Sequence, residues 1–294
     1  MLVVQLLANG LVNGCGYALV ALGFAFVYNT TRIFHFAHGA VYALAAYVFY
    51  SFFVQWGVPL VLAAGATLLL IAAFGVLIDE LIHAPLDRQD ASMLIHLLSS
   101  IGLYTVIVNV IALLYGNQTK VLSSGMGTTY SLGDVTLVRI QLITVFTAVV
   151  VLGIVFVVLW RTRLGKMLRA MRDDPELVAV MGINPSTLRR TVFALGSGLA
   201  GVAAILSGLD VGVDPYIGMN AILNGAVAII IGGVGRFEGA VLGGIAIGLL
   251  QASVVWYASA QWQDAITFVV LILFLLFRPE GILGTKRRSE EVVA

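Results

Sequence analysis

Charge is what this 294-residue sequence has least of: 11% of its residues are charged and 60% hydrophobic, with a mean hydropathy of +1.03. That scarcity excludes a soluble globular domain, in which about 25% of residues are charged. Cysteine is nearly absent too, and the single Cys15 excludes an intrachain disulfide framework. Sites for chemistry are missing as well. There is no GxxxxGK[ST] loop; the glycine cluster GGVGRFEGAVLGG lacks the Lys-Ser/Thr that would hold a phosphate and its magnesium. No HExxH, GxSxG or Cys/His cluster occurs, and the four histidines, 35, 38, 83 and 96, are scattered without metal-ligand spacing. No cofactor is expected on the chain, and a net charge of +1 gives no reason to expect nucleic acid.

Acids are also nearly absent from the apolar runs. Asp79 and Glu80 end one, Glu238 opens another beside Arg236, and Asp264 opens the last. A stand-alone secondary carrier normally keeps a carboxylate near the membrane midplane, so that reading lacks its coupling group. An intramembrane enzyme lacks its catalytic constellation. The energy for any transport is expected to come from another subunit.

What is present is repetition of apolar runs, most of them about 20 residues and enough to cross a hydrocarbon core of about 30 Å. They fall at roughly 6–28, 36–55, 58–80, 91–115, 139–160, 187–209, 221–235, 239–258 and 261–277. Because they are continuously apolar rather than alternating, they exclude a β-barrel. The fold class is therefore all-α: a polytopic transmembrane helical bundle of about nine spans, within a range of eight to ten, forming one domain over 1–294. The opening MLVVQLLANG has no basic n-region and is expected to be the first span rather than a removable signal. Residues 116–138, rich in Ser, Thr and Gly, read as an external loop.

Orientation follows from basic residues. With residues 161–190 in the cytoplasm and every run crossing once, fourteen of the sixteen Lys and Arg lie inside, and only Lys120 and Arg139 outside. This predicts an external amino terminus and an internal carboxyl terminus. The glycine-broken run 221–235 is expected to cross, because a re-entrant loop would place Arg278 and the 286–288 cluster outside. FAHGAV (36–41) and RFEGAV (236–241) echo each other and suggest two related halves.

Small residues four apart, such as Gly10/Gly14, Ser197/Gly201, Gly239/Gly243 and Gly244/Gly248, predict close helix contacts. Buried polar residues are costly in lipid and so more informative. Asn9, Asn13 and Tyr17 share one helix face; His38 opens the second run; His96, Ser99, Ser100 and Asn109 lie in the fourth; Asn224 interrupts the seventh. Being uncharged, they are expected to line a route for a small, net-neutral solute.

The segment 161–190 holds seven of the basic residues in an ordered pattern. Residues 161–172 are expected to continue the fifth span as a helix, with Leu164, Met167, Leu168 and Met171 as an apolar stripe beside Lys166, Arg169 and Arg172. Asp174, Pro175 and Glu176 read as N-cap, first-turn proline and first-turn acid of a short second helix. Leu177, Val178 and Met181 form its apolar side, and Gly182 stops it. Such a helix would lie on anionic lipid or, better, fill a groove on a partner.

RTRLGKMLRAMRDDPELVAVMGINPSTLRRTVFALGSGLAGVAAIL resembles the coupling segment of ABC-importer permeases of the branched-chain amino-acid uptake type. FHFAHGAVYALAAY resembles that family's N-F-A-H-G element, with His35 where Asn is usual. AVAIIIGGVGRFEGAVLGGIAIGLL and LLFRPEGILG are similar to its carboxyl-terminal signature. The resemblance implies a multi-pass permease of the bacterial inner membrane. Its partners would be a second permease subunit, two cytoplasmic ATPases carrying ATP and magnesium, and a periplasmic substrate-binding protein. Permeases for urea or short amides, and more distantly ribose-type sugars, are the alternatives within reach of the same resemblance.

Overall fold

The computed structural model describes residues 2–122, 128–132 and 135–284. Each expected apolar run falls on a helix. In chain order these are α1 (Leu2–Thr31), α2 (His38–Tyr50, prolonged by a π turn Ser51–Gln55), α3 (Leu60–Ile78), α5 (Met93–Tyr115), α6 (Arg139–Arg161), α9 (Pro185–Val211), α10 (Ile217–Gly232), α11 (Phe237–Tyr257) and α12 (Gln263–Phe277). A π turn, Asp79–His83, leads from α3 into the short α4 (Ala84–Asp87). Between α6 and α9 lie α7 (Arg163–Asp173) and α8 (Pro175–Val180).

By length and composition, seven helical stretches among the described residues are able to cross a membrane. The two expected runs that fall short are α2 and α10, and their surroundings show why. His38, which opens α2, already lies inside the bundle: a Cβ placed on Gly23, two turns before the end of α1, would stand 3.1 Å from its Nε2. A Cβ on Gly39 would stand 2.6 Å from the carbonyl oxygen of Gly218, at the start of α10. Both helices therefore begin within the bundle, backbone against backbone, each after a long helix (α1, α9) and a non-helical link (32–37, 212–216). The echo of FAHGAV with RFEGAV does open two helices, α2 and α11, but the placement of α2 is matched by α10 instead.

The small residues form the closest seams. Gly10 and Gly14 of α1 meet the backbone of Leu249 and Ile245 of α11, where added Cβ atoms would stand only 2.9 and 2.8 Å from the facing Cα atoms. Lipid offers no hydrophobic drive for helix pairing, so this approach gains its stability from dispersion. Around α1, α2, α9, α10 and α11 stand α3, α5, α6 and α12, whose outer faces leave large aliphatic side chains exposed.

Two expectations need correction. Part of the 116–138 loop is a β-hairpin, with β1 (Thr129–Leu132) antiparallel to β2 (Val135–Val138) and Thr129 opposite Val138. The β-prone residues of these two tetrapeptides were hidden by the Ser/Thr/Gly composition around them. Nor does α6 run on through residue 172. It stops at Arg161, where Thr162 becomes extended (φ −100°, ψ 162°) and its hydroxyl accepts from the Gly165 amide at 3.2 Å. Gly165 then packs directly on the Leu159 backbone, so α7 turns back on α6.

The hairpin marks one end of the bundle: Gln5 of α1 bonds Thr136, and Lys120 pairs with Val213 before α10. The opposite end holds α7 and α8, the Asn29–Gly235 bond at 3.0 Å, and the return of the chain after α12, where the Ile282 amide donates to Ile231 at 2.8 Å.

Candidate functional site

At that second end, α7 and α8 are built by the caps that the sequence implies. The Asp174 carboxylate accepts from the Leu177 amide at 3.0 Å, and Pro175 stands first in α8. Gly182 takes φ +80°, which ends the helix, and Asn184 caps α9 through the Ser186 amide at 3.0 Å. Leu168 and Met171 are buried against the bundle, Leu164 is half-buried, and Lys166 faces out. Arg169 donates to the Leu159 carbonyl, and Arg172 reaches the Gly235 carbonyl at 2.8 Å. The side chain of Glu176 lies outside the described residues.

The outward face of α8 differs from the expected one in one residue. Leu177 and Met181 are 55% and 68% exposed, whereas Val178 is 1% exposed and packs inward. Val180, 84% exposed, takes its place on the outer face. A six-residue helix has room to bury only one side, and the hydrophobic contact that seats α8 on the bundle uses Val178.

The polar residues expected to line a route divide among different places. Tyr17 donates to Gln251 Oε1 at 2.6 Å, and Gln251 Nε2 donates to Asn224 at 2.9 Å and to Thr267 at 3.1 Å. Gln251, buried in α11, thus ties α1, α10 and α12 together, and nothing in its lone position within the run marked it beforehand. Asn9 is half-buried beside Gln5, while Asn13 is exposed on the flank of α1. Ser100 is buried and holds the α1–α2 link, accepting from the Phe36 amide at 3.0 Å; Ser99 is half-buried. Asn109 lines a cavity of about 500 Å³ with Tyr104, Asp214, Tyr216 and Asn220, at the end away from α8. The Gly212–Pro215 break between two apolar runs was the sequence signal for this cavity.

Because Gln251 joins four helices, Gln251→Leu is expected to lower stability by about 1–3 kcal/mol, mostly through the partners left without a bond. Thermal unfolding in detergent measures this. An unchanged ratio of uptake between two dissimilar substrates would mark the cluster as helix glue; a changed ratio would place it on the route.

The model of a family described as the permease component of branched-chain amino acid transport systems matches residues 6–275. The chain belongs to that family. It is 34% identical to the high-affinity branched-chain amino acid transport permease BraD of Pseudomonas aeruginosa, over 95% of each chain. It is 31% identical to LivH of Escherichia coli, again over 95% of each. Among solved structures, PsaBC from Streptococcus pneumoniae shares the fold at a TM-score of 0.50 and 15% identity, covering 92% of this chain and 90% of that one.

One feature of this branched-chain permease family member was invisible as spacing. Its four histidines, scattered in sequence, come together where the α1–α2 link, the end of α3 and the start of α5 meet α9. His35 Nδ1 lies 3.0 Å from His83 Nε2, and His83 Nδ1 lies 3.2 Å from His96 Nδ1. His96 Nε2 is 2.9 Å from Asp87, which also pairs with Arg189. Arg189 in turn reaches the buried Asp79 at 2.5 Å, and Arg190 pairs with Glu80 at 2.7 Å. His38 lies beside His35, ring centres 6.2 Å apart, and stands outside that line. His83 uses one nitrogen for each neighbour, which is the pattern of a hydrogen-bonded line rather than of ligands around one ion; no metal-holding group occurs among the described residues. Burial first, then the neighbouring His83 and His38, holds the His35 imidazole well below its ordinary pKa of 6.5, so it is neutral.

Proposed function

We propose that this chain is the transmembrane permease subunit of an ATP-driven importer for branched-chain or similar small, net-neutral amino acids in a bacterial inner membrane. In this reading it crosses the membrane nine times, amino terminus out and carboxyl terminus in, and forms the route with a second permease subunit. One of two cytoplasmic ATPases docks on α7 and α8, and a periplasmic binding protein delivers the solute to the opposite face. ATP and magnesium belong to those ATPases.

The observation that carries the reading is α8 itself. A capped short helix presents Leu177 and Val180, with Met181 just beyond it, outward at the end of the bundle that the charge rule assigns to the cytoplasm. Exposed aliphatic side chains on a rigid, capped helix are what a groove on a soluble partner takes up. The family match supports a partner within a transport system, since its relatives are permease components of such systems.

The test is purification of the tagged chain from its native membranes in mild detergent. ATPase subunits should co-elute, and the reconstituted assembly should take up leucine only with ATP inside. Uptake by the chain alone, driven by an ion gradient, would replace this reading with a secondary carrier. ATP-driven uptake of urea or a short amide in preference to leucine would keep the machine and change the solute.

A further inference from the structure

The cavity at the end away from α8 is reached by a link that fixes one carboxylate in place. Gly212 turns the chain out of α9 at φ +87°, and Val213 is held by two backbone hydrogen bonds to Lys120, of 2.8 and 2.9 Å. Pro215 is buried, and Asp214 Oδ1 accepts from the Tyr216 amide at 2.9 Å. A carboxylate tied in this way is already ordered, so a ligand that meets it loses less on binding. Asp214 takes part in none of the ion pairs among the described residues. It lines the cavity of about 500 Å³, a size that suits a small molecule.

The rest of the wall is uncharged, and part of it is unsatisfied. Tyr104 lines the cavity, and its hydroxyl is buried without a hydrogen-bond partner among the described residues. Such a group costs free energy that a polar ligand would offset. Thr105 and Asn109 are exposed around the middle of α5, and each donates to a carbonyl one turn back, at 3.0 and 2.7 Å. That leaves Asn109 its second N–H. An exposed amide at such depth is costly against lipid, so this face meets water or protein. Asn220 is exposed on α10, and one turn deeper Asn224 donates to its carbonyl at 3.0 Å and accepts from Gln251. Polar groups thus continue inward from the cavity along α10. Val108, Ile217 and Met219 give the cavity an apolar side.

We propose that this cavity is a transit site for the amino acid itself, in which Asp214 receives the α-ammonium group and Tyr104, Asn109 and Asn220 donate to the α-carboxylate. Val108, Ile217 and Met219 then cover the aliphatic side chain. The proposal rests on the amino-acid reading above and adds where the solute is held and by which of its ends. An ammonium on a carboxylate makes a charge-assisted hydrogen bond, about twice as strong as a neutral one. Opposite it stand only neutral donors, so the carboxylate end is held less tightly, as suits a site that passes its solute on. Urea has no cation to offer Asp214, and an acidic amino acid would bring a second carboxylate to the cavity. The site therefore favours net-neutral amino acids over both. Every lining residue belongs to this chain, so the site is complete without the second permease subunit.

The full-length chain in lipid nanodiscs is tested by saturation-transfer NMR with three ligands of one carbon skeleton. These are leucine, isoamylamine, which lacks the carboxylate, and isocaproate, which lacks the ammonium. Leucine and isoamylamine should show transfer above that of empty nanodiscs, and isocaproate should not. Asp214→Asn keeps the oxygen that accepts from the Tyr216 amide, so the link should survive. It should weaken leucine and isoamylamine by at least about tenfold, the loss expected when a hydrogen bond to a charged group goes. Tyr104→Phe should weaken leucine and leave isoamylamine unchanged, a split that loosened packing would not produce. No transfer to leucine in the wild type, isocaproate bound as well as leucine, or wild-type binding by Asp214→Asn would each overturn the proposal. If Asp214→Asn is not recovered, the three ligands on the wild type decide alone. ATP-driven uptake by the wild-type assembly is measured alongside. Leucine uptake with no dependence of binding on Asp214 sinks this site only, whereas uptake that prefers urea sinks the amino-acid reading beneath it.

Discussion

Aspartate in place of both Leu177 and Met181 is expected to abolish ATP-driven uptake while leaving the protein inserted and folded. Both side chains are mostly exposed, so their replacement costs the isolated chain within about 0.5 kcal/mol. In a partner's groove the situation reverses. Burial of each large apolar side chain contributes about 1.5–3 kcal/mol, and a carboxylate in its place adds a desolvation cost. Together the pair weakens docking by more than about 3 kcal/mol, which is over a hundredfold in affinity. ATPase subunits co-eluting with the variant, and uptake per inserted subunit, measure the effect. Wild-type uptake by the double variant would show that α8 is not the docking element. Val178→Asp provides the contrast, since Val178 is buried under α8 and the charge would disturb folding before docking.

Replacing Arg189 by Met should cost about 3–5 kcal/mol of stability, the scale seen when one partner of a buried ion pair is removed. Asp79 is only 2% exposed and has Arg189 at 2.5 Å; Asp87 loses the same partner, and the guanidinium stacked 5.9 Å from the Phe193 ring is lost with it. The cause is the stranded carboxylate rather than the lost attraction. Asp79→Asn added to Arg189→Met should therefore recover a large part of the loss. Thermal unfolding of the purified variants in one detergent tests both statements. An Arg189→Met protein as stable as the parent would mean that water reaches Asp79 freely.

Much of the architecture was legible because membranes impose a simple code. Continuous apolar runs near 20 residues mark helices, and every one predicted from the sequence is a helix here. The caps of α8 and α9 were legible for a similar reason, since Asp174-Pro175, Gly182 and Asn184-Pro185 each act on backbone within a few residues. Less local features were missed. The break at Thr162 depends on Gly165 packing against Leu159, and the hairpin at 129–138 has little apolar alternation to betray it. Gln251 reads as one polar residue in a run, yet three other helices bring their hydrogen-bonding groups to it.

By itself, then, the sequence determined that this chain is an all-α membrane protein with a charged, doubly capped segment, and its motifs placed it within a permease family. Composition, periodicity and capping are sums over neighbouring residues, so they survive without coordinates. Only the tertiary structure decided which apolar residue of α8 faces outward, since Val178 and Val180 are equally apolar and differ only in what lies beneath them. It alone showed α2 and α10 starting inside the bundle at the Gly39–Gly218 contact. And it alone gathered His35, His83 and His96 into one line, because a hydrogen bond between residues 48 apart follows from how helices pack and leaves no trace in spacing.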